Sequence, residues 1–217
     1  MGKKIFSRGD DRDPAPVISK SDRGRPAALG PEPRILCALL LDVSGSMFER
    51  GALEVVTRAL PEFRAALVKH EETTRRLSWA VLTYAGTPKV VQPYGPLTDW
   101  QPAPLKPGRG TAMGTAILEM LRLQEEHINA LARRGISYQH GFCFHVSDGE
   151  PDGEPPERLD EAARLIKETE GNYFSFYSIA VEGADVDTLR RLTPHQTPLK
   201  LAEVKDLSRF FRWLSTS

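Results

Sequence analysis

Two hydrophobic spacings alternate along most of the chain. Short continuous apolar runs appear as RILCALLLD (34–42), LSWAVLTYA (77–85), GFCFHVSDG (141–149) and YFSFYSIAV (173–181). Runs of this length read as strands buried on both faces. Between them the spacing shifts to that of helices. In GALEVVTRALPEFRAALVKH, residues Leu53, Val56, Leu60, Phe63 and Leu67 fall on one face. Pro61 is expected to kink or split that helix. TAMGTAILEMLRLQEEHINALARRG predicts a long helix closed by Gly135. PPERLDEAARLIKETEG predicts another, with prolines at its start and glycine after its end. ADVDTLRRL predicts a short helix with Asp185 as N-cap. KVVQPY follows LSWAVLTYA after a Gly/Pro turn and reads as an edge hairpin partner, where Pro93 is tolerated. TPLKLAE holds a short last strand, and VKDLSRFFRWLSTS closes the chain as an amphipathic helix.

This alternation predicts an α/β fold: a mostly parallel, Rossmann-like central sheet of about six strands, one antiparallel edge strand, and helices on both faces. Residues 1–33 differ. Pro14, Pro16, Pro26, Pro31 and Pro33 mix with charged and small residues, and apolar positions have no period. Such a segment buries too little to offset its ordering entropy, so a flexible tail is expected, with the folded domain over 34–217.

Composition removes several classes. Lys+Arg and Asp+Glu both number 29, so the net charge is zero and no nucleic-acid surface is expected. No apolar run approaches the roughly 20 residues that span a bilayer. The N-terminal residues hold no apolar stretch of secretory type, so a cytoplasmic, monomeric protein is the expectation. Cys37 and Cys143, the two cysteines, sit in apolar runs and read as reduced core thiols. Their predicted strands are neighbours, which leaves a close pair conceivable.

The chemistry gathers at strand ends. LLLD ends at Asp42 and HVSD at Asp148, neither expected to be buried within its strand. In open parallel sheets, ligands sit beyond the carboxyl ends of strands at the topological switch point. Asp42, Ser44 and Ser46 occupy alternate positions, so an extended chain would aim one carboxylate and two hydroxyls at one point. Alone, Asp-x-Ser-x-Ser is equally turn and cap chemistry. Thr111, expected to begin a helix after GRG, and Asp148 add oxygens on the same predicted edge. Mg2+ takes about six oxygens near 2.1 Å, which suits this set better than Ca2+, with Mn2+ a substitute. Two other readings compete. A haloacid-dehalogenase-type phosphatase would use Asp42 as nucleophile, but its acid/base position holds Ser44. A phosphate loop at PGRGTAMGT lacks the Gly-Lys-Ser/Thr signature.

These motifs resemble the von Willebrand factor A (vWA) domain. Its metal-ion-dependent adhesion site uses Asp-x-Ser-x-Ser, a distant Thr and a distant Asp, matched here by Asp42, Ser44, Ser46, Thr111 and Asp148. Through LLLDVSGSM, GRGTAMGTAI, VSDGEPDG and FFRWLSTS, the chain is most similar to the bacterial TerY-like group of tellurite-resistance clusters. The resemblance covers about 34–217. It implies a non-enzymatic module whose bound Mg2+ takes its last ligand from a partner Asp or Glu. It also implies partners of the Ser/Thr kinase and metal-dependent phosphatase kind in stress or metal-resistance signalling. Arg50, Arg109, Gly110 and Glu150 would flank the metal on the partner side. The chain departs from the group at His145, where an aliphatic residue is usual, and at Gly153, which interrupts the acidic run Glu150, Asp152, Glu154.

Overall fold

The computed structural model describes residues 32–170, 174–193 and 197–200. The expected tail, apart from Glu32 and Pro33, and the expected closing helix lie outside the described residues. The remaining elements are β1 (Arg34–Asp42), α1 (Gly45–Glu49), α2 (Ala52–Val68), α3 (Glu71–Arg76), β2 (Leu77–Tyr84), β3 (Pro88–Gly95), a 3-10 turn (Leu97–Asp99), α4 (Met113–Arg133), β4 (Tyr138–Ser147), α5 (Pro156–Thr169), β5 (Phe174–Ala180), α6 (Val186–Leu192) and β6 (Leu199–Lys200).

The sheet runs β3-β2-β1-β4-β5-β6. All neighbours are parallel except β2 and β3, which form the expected antiparallel hairpin at the edge. Chain order turns outward in both directions from β1 and β4, so the switch point lies between their C-terminal ends.

The period of two in β1 feeds two cores. Ile35, Cys37, Leu39 and Leu41 face α2, which contributes Val56, Leu60 and Leu67. Ala38 and Leu40 face the other side, where α4 supplies Met113, Ile117 and Leu121, and α5 supplies Leu159 and Ile166. Helices α4 and α5 approach closely at Gly114, where an added Cβ would come within 2.5 Å of the Arg158 and Leu159 backbone. The two thiols fall on opposite faces. Cys37 packs in the first core and Cys143 in the second, although their strands are paired. Side-chain alternation therefore separates what strand adjacency suggested could be close. Burial pushes both thiols well above the ordinary range, as for inert core cysteines.

Two local expectations are corrected. Helix α2 runs unbroken through Pro61. Pro61 is exposed, so its ring meets no core packing. The segment before β2, not anticipated, forms the short helix α3, whose last residue leads straight into the strand.

Candidate functional site

Asp42 is the last residue of β1, and Asp148 follows the last residue of β4. Both therefore stand at the switch point, as the strand endings predicted. They are not solvent-facing: Asp42 is 1% exposed and Asp148 0%. The segment after β5 lies against the second of them, with the Asp185 N–H donating to the Asp148 carbonyl at 2.7 Å. Burial raises the Asp42 carboxyl above its usual range, hydrogen bonds from Ser44 and Ser147 pull it back, and the Asp148 charge adds to the rise.

The convergence of Asp42, Ser44 and Ser46 has a different origin from strand alternation. The strand stops at Asp42, Ser44 is the residue before α1, and Ser46 lies in its first turn. Asp42 Oδ1 accepts from the Ser44 N–H at 2.9 Å, an Asx turn that swings the chain into the helix. The Ser44 and Ser46 hydroxyls come within 3.1 Å of each other. A turn, not a pleat, brings the three oxygens together.

Asp42 Oδ2 accepts from the Ser147 hydroxyl at 2.8 Å and, more weakly, from the Tyr84 hydroxyl at 3.3 Å. Tyr84 also pairs with His145 Nε2 at 2.7 Å. A Tyr84 proton directed at Asp42 requires His145 to donate from Nε2, leaving Nδ1 as a bare lone pair. Nδ1 indeed has no hydrogen-bond partner. His145 is fully buried, and burial lowers its pKa to about 3. It is a neutral core histidine that orients the carboxylate through Tyr84.

Thr111 reaches the same edge through its loop. Gly108 N–H donates to the Val43 carbonyl at 2.7 Å, and Ala112 N–H to the Ala85 carbonyl at 2.6 Å. The loop thus lies across the ends of β1 and β2. Gly86 permits this, since a Cβ there would stand 2.8 Å from the Arg109 carbonyl oxygen. Thr111 does not begin α4. It precedes the helix, and its backbone exchanges hydrogen bonds with Asp152 at 2.8 and 3.1 Å. Thr111 itself is buried.

The acidic run has specific work to do, which composition concealed. Asp152 clamps Thr111 through backbone alone. Glu154 accepts from the N–H groups of Gly114 and Thr115 at 2.6 and 3.0 Å, and from the Thr115 hydroxyl at 2.9 Å. It caps α4 from 40 residues away. These N–H donors, which a bound phosphate would need, already serve a carboxylate, so the phosphate-loop reading fails here.

Of the four flanking residues, Arg109 is exposed and Gly110 adopts φ +75°. Arg50 is anchored: it donates to the Gly183 carbonyl at 2.9 Å, pairs with Glu150, and sets its Nε 3.5 Å from Asp148 Oδ2. That last distance is an ion pair but too long for a hydrogen bond.

The donors are carboxylates and hydroxyls only. Among the described residues no group of three or more His, Cys, Asp or Glu is arranged to hold a metal, so a cation at this edge must rely on the hydroxyls. A hard divalent ion suits such a set. The fit is supported by Asp148 Oδ2, which is buried without any hydrogen bond. A cavity of about 390 Å³ lies elsewhere, against Val43, Val81, Thr83, Trp100 and Lys106, and none of the five oxygen-bearing residues lines it. No helix among the described residues is long and apolar enough to cross a membrane.

No family model matches the sequence, and no curated protein is similar to it at the sequence level. Solved structures do match. A von Willebrand factor type A protein from Catenulispora acidiphila is 18% identical with a TM-score of 0.56, covering 84% of this chain and 42% of its own. The von Willebrand factor domain of a type V pilus tip protein from Porphyromonas gingivalis is 8% identical with a TM-score of 0.58, covering 84% and 96%. The pilus adhesin SpaC from Lactobacillus rhamnosus GG, in an open conformation, is 10% identical with a TM-score of 0.61, covering 85% and 30%. The chain thus spans less than half of two of these proteins and nearly all of the pilus tip domain. Its fold is that of vWA domains.

Proposed function

We propose that this chain is a non-enzymatic, metal-dependent protein-binding module. Asp42, Ser44, Ser46, Thr111 and Asp148 would hold a divalent cation, Mg2+ by preference and Mn2+ or Ca2+ as substitutes. The bound ion supplies a Lewis-acidic position for an Asp or Glu side chain of a partner protein. The observation that carries the reading is the buried Asp148 Oδ2 without a hydrogen bond, beside a second buried carboxylate and two touching hydroxyls at the sheet's switch point. Two buried acids at close range call for a cation.

The chain's own groups prepare this position. Ser147 and Tyr84 hold Asp42 ionisable and oriented, leaving Oδ1 a free lone pair beyond the Ser44 N–H. The Asp152 backbone and the Glu154 cap fix the Thr111 loop. The vWA fold of adhesion and pilus proteins is consistent with a binding role. Nothing in the geometry favours the haloacid-dehalogenase alternative, because Ser44 stands where its acid/base carboxylate is needed.

On the softer TerY-like resemblance, the module would be cytoplasmic and monomeric. It would act with a Ser/Thr kinase and a metal-dependent phosphatase in tellurite, metal or stress resistance. A pull-down with immobilised protein tests the reading, run in Mg2+ and in EDTA, with wild type and Asp42→Ala. Proteins retained by wild type only with Mg2+ and lost by the variant are expected. Identical capture in every lane would refute it.

A further inference from the structure

Arg50 is the cation this edge already possesses. It closes α1, the helix whose first turn carries Ser46 and whose preceding residue is Ser44. Its guanidinium reaches three other points: the Gly183 carbonyl, the Glu150 carboxylate and Asp148 Oδ2. The seat is shaped for it. Gly183 has φ +75°, which favours glycine, and a Cβ there would stand 2.7 Å from Arg50 Nη1, so a larger residue would push the guanidinium aside. Asp148 is fully buried, Oδ1 accepts from the Glu150 N–H at 3.2 Å, and Arg50 is the positive group facing Oδ2. Asp42 lies close enough for the Asp148 charge to disfavour its ionisation. Two buried carboxylates are thus compensated by one guanidinium held slightly too far away for a hydrogen bond.

We propose that Arg50 is the internal counter-ion of the site: it stabilises the acid pair in the metal-free protein and opposes a divalent cation at the same carboxylates. This rests on the metal-binding reading above and adds a regulatory element to it. Arg50 tunes affinity downward and ties α1, with its serines, to the loops after β4 and β5. Uptake of a divalent ion then requires the Arg50–Asp148 contact to loosen. A partner carboxylate could meet the guanidinium so released, which would couple metal uptake to partner binding.

The test compares wild type, Arg50→Gln and Arg50→Lys by Mn2+ titration calorimetry and by thermal unfolding in EDTA. Removing a unit charge near a dication raises affinity, and roughly tenfold tighter Mn2+ binding is expected for Arg50→Gln. Arg50→Lys keeps the charge but loses the fork, so its Mn2+ affinity should stay within about threefold of wild type. Both variants should melt below wild type in EDTA. A merely structural role for Arg50 would weaken Mn2+ binding, never strengthen it. Arg50→Gln binding no tighter than wild type would overturn the inference while leaving the metal site standing. Wild type that takes up no Mn2+ would overturn the metal reading, and the inference with it.

Discussion

Replacing Glu154 by alanine frees the first turn of α4 from the loop that follows β4. Helix α4 is 21 residues long and has no side-chain cap from its own N-terminus, where Ala112 stands at the cap position. Glu154 supplies what is missing through three hydrogen bonds to Gly114 and Thr115. Loss of an ordinary cap costs about 0.5–2 kcal/mol. A carboxylate at a helix N-terminus contributes a further ~0.3–1 kcal/mol. Glu154 is only partly buried, so water can satisfy some of the freed N–H groups. A net loss of about 2 kcal/mol follows, which in a chain of this size lowers Tm by roughly 4–8 °C. Glu154→Gln retains one acceptor oxygen and should lose about half as much. Thermal unfolding by circular dichroism measures the stability. Amide exchange should accelerate at both Gly114 and Thr115 in the alanine variant and less in the glutamine variant, which keeps one acceptor. A Glu154→Ala protein within about 1 °C of wild type, with unchanged exchange at both amides, would refute the capping argument.

Three further outcomes are expected. Gly114→Ala should lose at least ~2 kcal/mol in urea unfolding, because the new Cβ meets the α5 backbone rather than a side chain that can move. In metal-free protein His145 should contribute a loss of stability as pH falls from about 6.5 toward 3, at most ~1.4 kcal/mol per unit from this one group: lowered to about 3, it stays neutral when folded while the unfolded chain takes up its proton. Glu119 and Asp185, both held below the usual carboxylate range, add to the loss at the acid end. Asp42, raised in the folded state, binds its proton preferentially when folded and offsets part of this loss above 3.8, so His145→Gln should flatten the limb between about 6.5 and 4.5. Thr111→Val keeps the side chain's volume and should leave the EDTA melting curve nearly unchanged while reducing stabilisation by Mg2+, read from paired melting curves.

Much of the architecture could be read before any coordinates. Continuous apolar runs marked β1, β2, β4 and β5 because both faces of a parallel strand are buried. Asp185 was recognisable as an N-cap, and its carboxylate accepts from Asp187 and Thr188 as caps do. Strand-terminal aspartates could be placed at the switch-point edge because strand order and strand polarity together define where the ends of β1 and β4 meet. What escaped was set by contacts distant in sequence or by single turns. Alternation along Asp42, Ser44 and Ser46 suggested the right grouping for the wrong reason, since one Asx turn converts a strand pattern into a helix start. Glu154 is one of a run of acidic residues in the sequence, and its capping role is hidden there because its partners lie 40 residues earlier. Nothing in the sequence links Tyr84 and His145 to Asp42, because that link needs three strands in register. The burial of Asp42 and Asp148 depends on loops whose paths no periodicity encodes.

The central claim is that these oxygens bind a divalent cation, and melting curves with and without Mg2+ test it most directly. Wild type should gain about 2.7 kcal/mol at a Mg2+ concentration 100 times Kd, or several degrees in Tm. Asp42→Asn, which preserves shape but removes the charge, should gain little or nothing from Mg2+. A wild-type Tm that does not move between EDTA and millimolar Mg2+ or Mn2+ would contradict the account.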